Sequence, residues 1–242
     1  MTKRLQIAFL YFLFIIGDTT FNESFGQSLP LSKTSENISS GVKNSFIKII
    51  ASHSNETIAN AFWKEVDSLY SGTDRHYHTL SHLQNFYTQL SKCKSSIKDW
   101  ESLIIAMVYH DIIYNSPDHK DEENSAALAT KRLQEISFSE KQINNVKYLI
   151  LATKLHALSE DNDTNIFNDA DMSILGLDRE TYTNYVKNIR LEYRHIPNFD
   201  TGRKKVLNYF LKMDNIFKTL FFRNLYEESA RKNIEWEITT IE

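Results

Sequence analysis

Six glycines and three prolines in 242 residues leave this chain short of turn-making residues; average usage is roughly 12% for the pair. β-Sandwiches and barrels join many strands through tight turns built on those residues, so such architectures are excluded. No GxGxxG pattern occurs, and no GxxxxGK followed by Ser or Thr, which sets aside a dinucleotide-binding Rossmann site and a P-loop. The single cysteine, Cys93, rules out an internal disulfide framework and a multi-cysteine zinc site. Excess charge is also missing. With 28 basic and 31 acidic residues the net charge is −3, and no basic stripe offers itself to a nucleic-acid backbone.

What remains is a chain that is 41% hydrophobic, rich enough for a sizeable core, with eight histidines as almost its only nitrogen or sulfur metal ligands. Helical spacing of apolar residues begins near Phe46 and continues through Ile49, Ile50, Ile58, Phe62, Val66 and Leu69. Ser71 to Asp74 break it, and a further helix is expected from Leu80 to about Ser91. Asp99 is an N-cap candidate for an apolar helix ending near Asn115 to Pro117, with His110 and Asp111 inside it. Residues 121–136 read as another helix. Ser139 and Gln142 form a capping-box pattern that opens a helix through about His156. A polar stretch at 159–165 follows, then helices around 180–194, 201–222 and 223–237. No segment reads as a strand, so the expected fold class is all-α.

The N-terminus stands apart. Lys3 and Arg4 precede an apolar run from Leu5 to Ile16, too short to span a bilayer comfortably but suited to a signal-peptide core. Ser24 and Gly26 place small residues before a cleavage point at Gln27. Residues 1–26 are therefore expected to be a signal peptide or N-terminal anchor, giving an exported or membrane-anchored protein whose membrane contact is limited to residues 5–16. A cytoplasmic protein with an additional hydrophobic segment is the alternative. Residues 27–43 read as a polar linker, and 44–242 as the folded domain.

Chemistry concentrates in a few places. Arg75 to His82 holds three histidines in seven positions, and His78 and His82, four apart, would share a face of one helix. That suits two ligands of one metal, one ligand beside a proton donor, or surface histidines. His110 and Asp111 sit in an apolar run where charge is costly unless paired or bound to metal; a solvated His–Asp pair at a helix end is the simpler reading. Asp169 and Asp171 are acids flanked by apolar residues, fit to complete a His/Asp shell or to cap a turn. Glu122, Glu123, Lys154 and His156 add polar groups to helices that otherwise look core-facing.

Taken in order, these motifs resemble the HD-domain superfamily of metal-dependent phosphohydrolases. Tyr77-His78-x-x-x-His82 is similar to a motif of cyclic-nucleotide phosphodiesterases. The wider set resembles a bacterial group of predicted HD phosphohydrolases: Arg75-x-Tyr-His-x-Leu-x-His82, His110-Asp-x-x-Tyr114, Glu122-x-x-Ser-Ala126, Thr153-Lys-x-His156, Asp169-Ala-Asp-Met-Ser-Ile-Leu-Gly176, Ile189-Arg-x-Glu-Tyr193 and Ala230-Arg-x-Asn233, covering roughly residues 45–237. The resemblance implies an HD-type helical bundle. It implies His82, His110, Asp111 and Asp171 as ligands of a divalent ion (Mn, Fe, Zn or Mg), with Asp169 as the rival to Asp171 and His156 as the candidate for a second ion. It also implies His78 as the acid that protonates a leaving oxygen, with Glu122 and Lys154 in the catalytic set. Lys154, Arg75 and Arg190 are candidates to hold phosphate oxygens. The implied reaction is hydrolysis of a small phosphate ester, a nucleotide among the candidates. The alternatives are a non-catalytic nucleotide or metal sensor on the same pocket, and a structural metal site in a helical interaction module.

Overall fold

A computed structural model describes residues 40–114 and 120–241. Among these the chain is all-helical, with no strand, as expected. Its α-helices are α1 (Ser40–Ser52), α2 (Glu56–Tyr70), α3 (Leu80–Lys92), α4 (Trp100–Tyr109), α5 (Asp121–Gln134), α6 (Glu140–Ala152), α7 (Asn162–Asp171), α8 (Arg179–Glu192), α9 (Phe199–Lys212) and α10 (Leu220–Thr240). Short 3₁₀ turns occupy Lys94–Ser96 and Met172–Gly176. None of the described helices is long and apolar enough to cross a membrane. The apolar run at residues 5–16 and most of the expected linker lie outside the described residues.

Helix α4 is the axis of the molecule. Every residue from Ser102 to Tyr109 is fully buried, because α1, α3, α5, α6 and α7 all pack on it. An apolar surface that runs all the way round a helix has to be enclosed by neighbours. Asp99 caps α4 as expected, accepting from the Ser102 amide at 3.1 Å. Ser139 and Gln142 complete the expected capping box of α6. Asn55, Thr79, Asp161, Asp178 and Thr219 cap α2, α3, α7, α8 and α10 through their side-chain oxygens.

Several boundaries differ from expectation. Helix α1 starts at Ser40, inside the segment read as linker, because Val42 is buried on the same face as Phe46, Ile49 and Ile50. Helix α4 stops at Tyr109, so His110 and Asp111 lie at its end rather than within it. The polar stretch at 159–165 contains the start of α7, a helix buried along its whole length from Asp163 to Ala170 despite its polar sequence. The expected helix 201–222 is two pieces. Met213 turns extended, Ile216 and Phe217 plug the core, and Glu227 accepts both their amides at 3.0–3.1 Å.

The 3₁₀ turn that follows α7 packs tightly on α10. A Cβ at Gly176 would stand 2.7 Å from the Tyr226 carbonyl oxygen and 2.9 Å from its Cα, and backbone cannot swing aside as a side chain can. Gly176→Ala is expected to destabilise the fold by about 1–3 kcal/mol, the ordinary cost of overpacking. A fall in the urea midpoint with unchanged slope checks this.

Candidate metal centre

The end of α4 creates the first half of the site. Its last carbonyls have no partner within the helix. The Tyr70 hydroxyl donates to Val108 O at 3.0 Å, and His110 Nδ1 donates to Met107 O at 2.8 Å. That second bond places the imidazole hydrogen on Nδ1 and turns Nε2 inward as an acceptor. His82, in the first turn of α3, has Nδ1 against the Tyr77 hydroxyl at 3.2 Å and Nε2 3.1 Å from Nε2 of His110. Both imidazoles are buried, with side-chain exposures of 2% and 1%.

Two carboxylates close around this pair. Asp111 Oδ2 lies 2.8 Å from His110 Nε2 and 3.7 Å from His82 Nε2. Asp171 Oδ1, from the C-terminal end of α7, lies 3.3 Å from His82 Nε2 and 3.6 Å from His110 Nε2. His82, His110 and Asp111 form a group able to hold a metal ion. The donor set fits a cation: two acceptor nitrogens so close repel each other unless a proton or a metal ion lies between them. Burial disfavours a charged His110, but the Asp111 and Asp171 carboxylates outweigh it and hold its pKa well above the ordinary value. His82 is pushed down by burial. Burial raises the two carboxyls, yet His110 more than reverses this and both titrate below their usual range. No cysteine takes part, so nitrogen and oxygen donors suit the hard or borderline divalent ions.

Asp169 and Asp171 have separate tasks. The fully buried Asp169 carboxylate accepts the Lys218 and Thr219 amides, both at 2.7 Å, and the Thr219 hydroxyl at 2.8 Å. It ties α7 to the start of α10. Asp171, two residues on, meets the histidines.

His78 is not on the helix that carries His82. Thr79 caps α3, and His78 precedes it in a loop. Its Nε2 is 3.8 Å from Asp111 Oδ2, and its Nδ1 is 2.7 Å from Glu192 Oε2. The other oxygen of Glu192 accepts the backbone amides of His76, Tyr77 and His78 at 2.7, 2.8 and 2.9 Å. Burial alone would depress His78, but Asp111 and Glu192 hold its pKa above normal. Glu192 is the residue of the candidate site that motif reading left without a role. The signal was present: Tyr182, Tyr185, Ile189 and Glu192 fall on one buried stripe of α8, and a carboxylate on such a stripe requires a partner.

The remaining expected residues are partly drawn in. Glu122 is buried and its carboxyl is raised, by burial first and also by the Asp111 charge. Lys154 Nζ lies 2.5 Å from Glu123 Oε1 and 3.7 Å from Glu122 Oε2. The three cations considered for phosphate all have protein partners. Arg75 donates to the carbonyls of His78 and Ile112, both at 2.9 Å, clasping the His78 loop to the end of α4. Arg190 Nη2 sits 3.2 Å from Asp200 Oδ1. Comparison with protein-family models, curated proteins and solved structures finds no match to this chain.

Glu192→Ala removes the acceptor of three part-buried amides and the partner of His78, and is expected to cost about 3–5 kcal/mol of stability. Burial raises the Glu192 carboxyl, but the His78 contact and the amides bring it below its ordinary value. Its contribution is therefore complete above the unfolded-state carboxyl pKa and fades as pH falls through the folded one. The stability gap between wild type and variant, followed by urea denaturation, should narrow as the solution is acidified.

Proposed function

We propose that this protein is a metal-dependent phosphohydrolase with an HD-type helical bundle, acting on a small phosphate ester. One observation carries the reading. His82, His110 and Asp111 gather their donor atoms in one group, Asp171 Oδ1 lies within 3.6 Å of both imidazoles, and the carboxylates and the adjoining His78 are more exposed than the two histidines. Side-chain exposure rises from 1–2% at the two histidines to 12% at Asp171, 17% at His78 and 28% at Asp111. A structural metal site closes its shell, whereas a catalytic site keeps a side open to water and substrate.

His82, His110, Asp111 and Asp171 would hold the ion. When bound, a divalent cation supplies Lewis-acid polarisation of a phosphoryl oxygen and makes a water acidic enough to attack at neutral pH. The chain's own residues perform the rest. Glu192 fixes the His78 ring through Nδ1 and, with Asp111, favours its protonated form, leaving Nε2–H beside the cluster as the donor to a departing alkoxide. General acid catalysis of this kind contributes typically ~10²–10⁴-fold. Glu192 acts only through His78 and is a positioning residue. Glu122 and Lys154, linked to each other beside Asp111, are assigned to the substrate side of the site. The placing of His78 favours a hydrolase over a passive sensor, since a sensor has less need of an imidazole oriented by a buried carboxylate beside the cluster.

The test combines metal content with turnover. Purified protein is expected to bind a divalent ion stoichiometrically, and His110→Ala or Asp111→Ala to lose it. Screened against phosphate esters, nucleotides and cyclic nucleotides included, wild type should hydrolyse at least one. His78→Gln should retain the metal while losing ~10²–10⁴-fold in kcat. Equal hydrolysis by wild type and Asp111→Ala would overturn the reading.

A further inference from the structure

His156 occupies a backbone conformation that is uncommon for any residue other than glycine. It follows the last turn of α6, where its amide still donates to the Ala152 carbonyl at 3.0 Å, and its φ is +44°. The residue just past a helix end adopts this left-handed geometry routinely when it is glycine or asparagine, which suffer least from the Cβ clash. Among the described residues only one other non-glycine has positive φ, and that one is an asparagine, Asn198. Outliers of this kind are kept where the surrounding structure fixes them, and they cluster at functional sites.

The left-handed backbone delivers the His156 side chain to the candidate metal centre. Its ring is 8% exposed, and Nε2 lies 2.8 Å from Asp171 Oδ2. An ionised carboxylate can only accept, so Nε2 carries the hydrogen. The oxygens of Asp171 are thereby divided: Oδ2 is taken by His156, and Oδ1 faces His82 and His110 at 3.3 and 3.6 Å.

We infer that His156 is a positioning residue for the metal centre, holding Asp171 to a single coordinating oxygen from a strained helix-end position. The inference rests on the metal-centre reading above. Partners that orient a ligating carboxylate are worth typically 10–100-fold in metal affinity. The backbone contributes separately: alanine at φ +44° keeps the strain, and glycine relieves it.

Three variants separate these effects: His156→Gly, His156→Ala and His156→Gln. The glutamine amide offers a donor at about the reach of Nε2. Each protein is checked for helix content by circular dichroism, melted without metal, and titrated with Mn²⁺, Zn²⁺ and Co²⁺. The Gly and Ala variants should bind metal equally weakly, ~10–100-fold below wild type, with Gln recovering most of the loss. Without metal, the Gly variant should melt ~2–4 °C above the Ala variant. The Co²⁺ absorption of the Gly and Ala variants should differ from wild type, as Asp171 becomes free to offer both oxygens, whereas Gln should retain the wild-type spectrum. A purely structural His156 would leave that spectrum unchanged in every folded variant. Wild type that binds metal alongside Gly and Ala variants binding it equally well overturns this inference alone. Wild type that binds none of the three ions overturns the metal-centre reading and this inference with it.

Discussion

Buried and half-buried carboxylates hold the joints of this molecule. Asp163 accepts the amides of Lys98 and Asp99, Asp169 those of Lys218 and Thr219, Glu227 those of Ile216 and Phe217, and Glu192 those of His76, Tyr77 and His78. Asp163, Asp169 and Glu192 connect loops to helices distant in sequence, and Glu227 holds the loop that leads into its own helix. A chain with few glycines and prolines cannot close its loops by backbone geometry alone, so side chains must satisfy the amides that its turns expose. Left unpaired and buried, each amide would cost ~1–3 kcal/mol. Basic groups do the complementary work for carbonyls: Arg75 takes those of His78 and Ile112, Arg223 those of Phe217 and Lys218, and Arg231 those of Leu211 and Met213.

The candidate centre is built from the same device. Asp169 anchors α7 to α10, and two residues later that helix presents Asp171 to the histidine pair. Glu192 and Arg75 fix the loop that ends at His78. Met107 O, an unpartnered carbonyl at the end of α4, sets the tautomer of His110. Each donor is thus aimed by a bond whose first task is to end a helix or hold a loop. This explains why α7 is buried although its sequence is polar: its side chains find partners on every side. Polar groups at this depth are tolerable only when nearly all are satisfied.

How much of this could be read in advance follows from the range of each interaction. Caps act over three residues, so Asp99 and the Ser139–Gln142 box are visible in the sequence. The all-α class is visible in composition and periodicity. The order of His82, His110, Asp111 and Asp171 is visible as motif, but that their donor atoms converge depends on how α3, α4 and α7 pack. Helix α7 escapes notice because 160–165 contains no apolar residue, and periodicity reports only apolar burial. The break after Lys212 escapes because Glu227, which pins it, acts from fourteen residues beyond Met213. Glu192 lies more than a hundred positions from His78, and only its place on an apolar stripe betrays it.

The placement of His78 shows why the difference between motif and geometry matters. Four positions before His82, it would share a helix face with that residue if α3 began earlier, and both imidazoles would then serve one ion as equivalent ligands. Thr79 ends that possibility by capping α3, and Glu192 draws the preceding loop toward α8. His78 is left with Nδ1 on a carboxylate that favours its proton, while burial disfavours a proton on His82, which sits beside a tyrosine hydroxyl. Two histidines of one motif therefore acquire opposite charge preferences, one suited to giving a proton and the other to giving a lone pair. The spacing alone allowed both roles for both residues; a helix cap and a buried glutamate divide them.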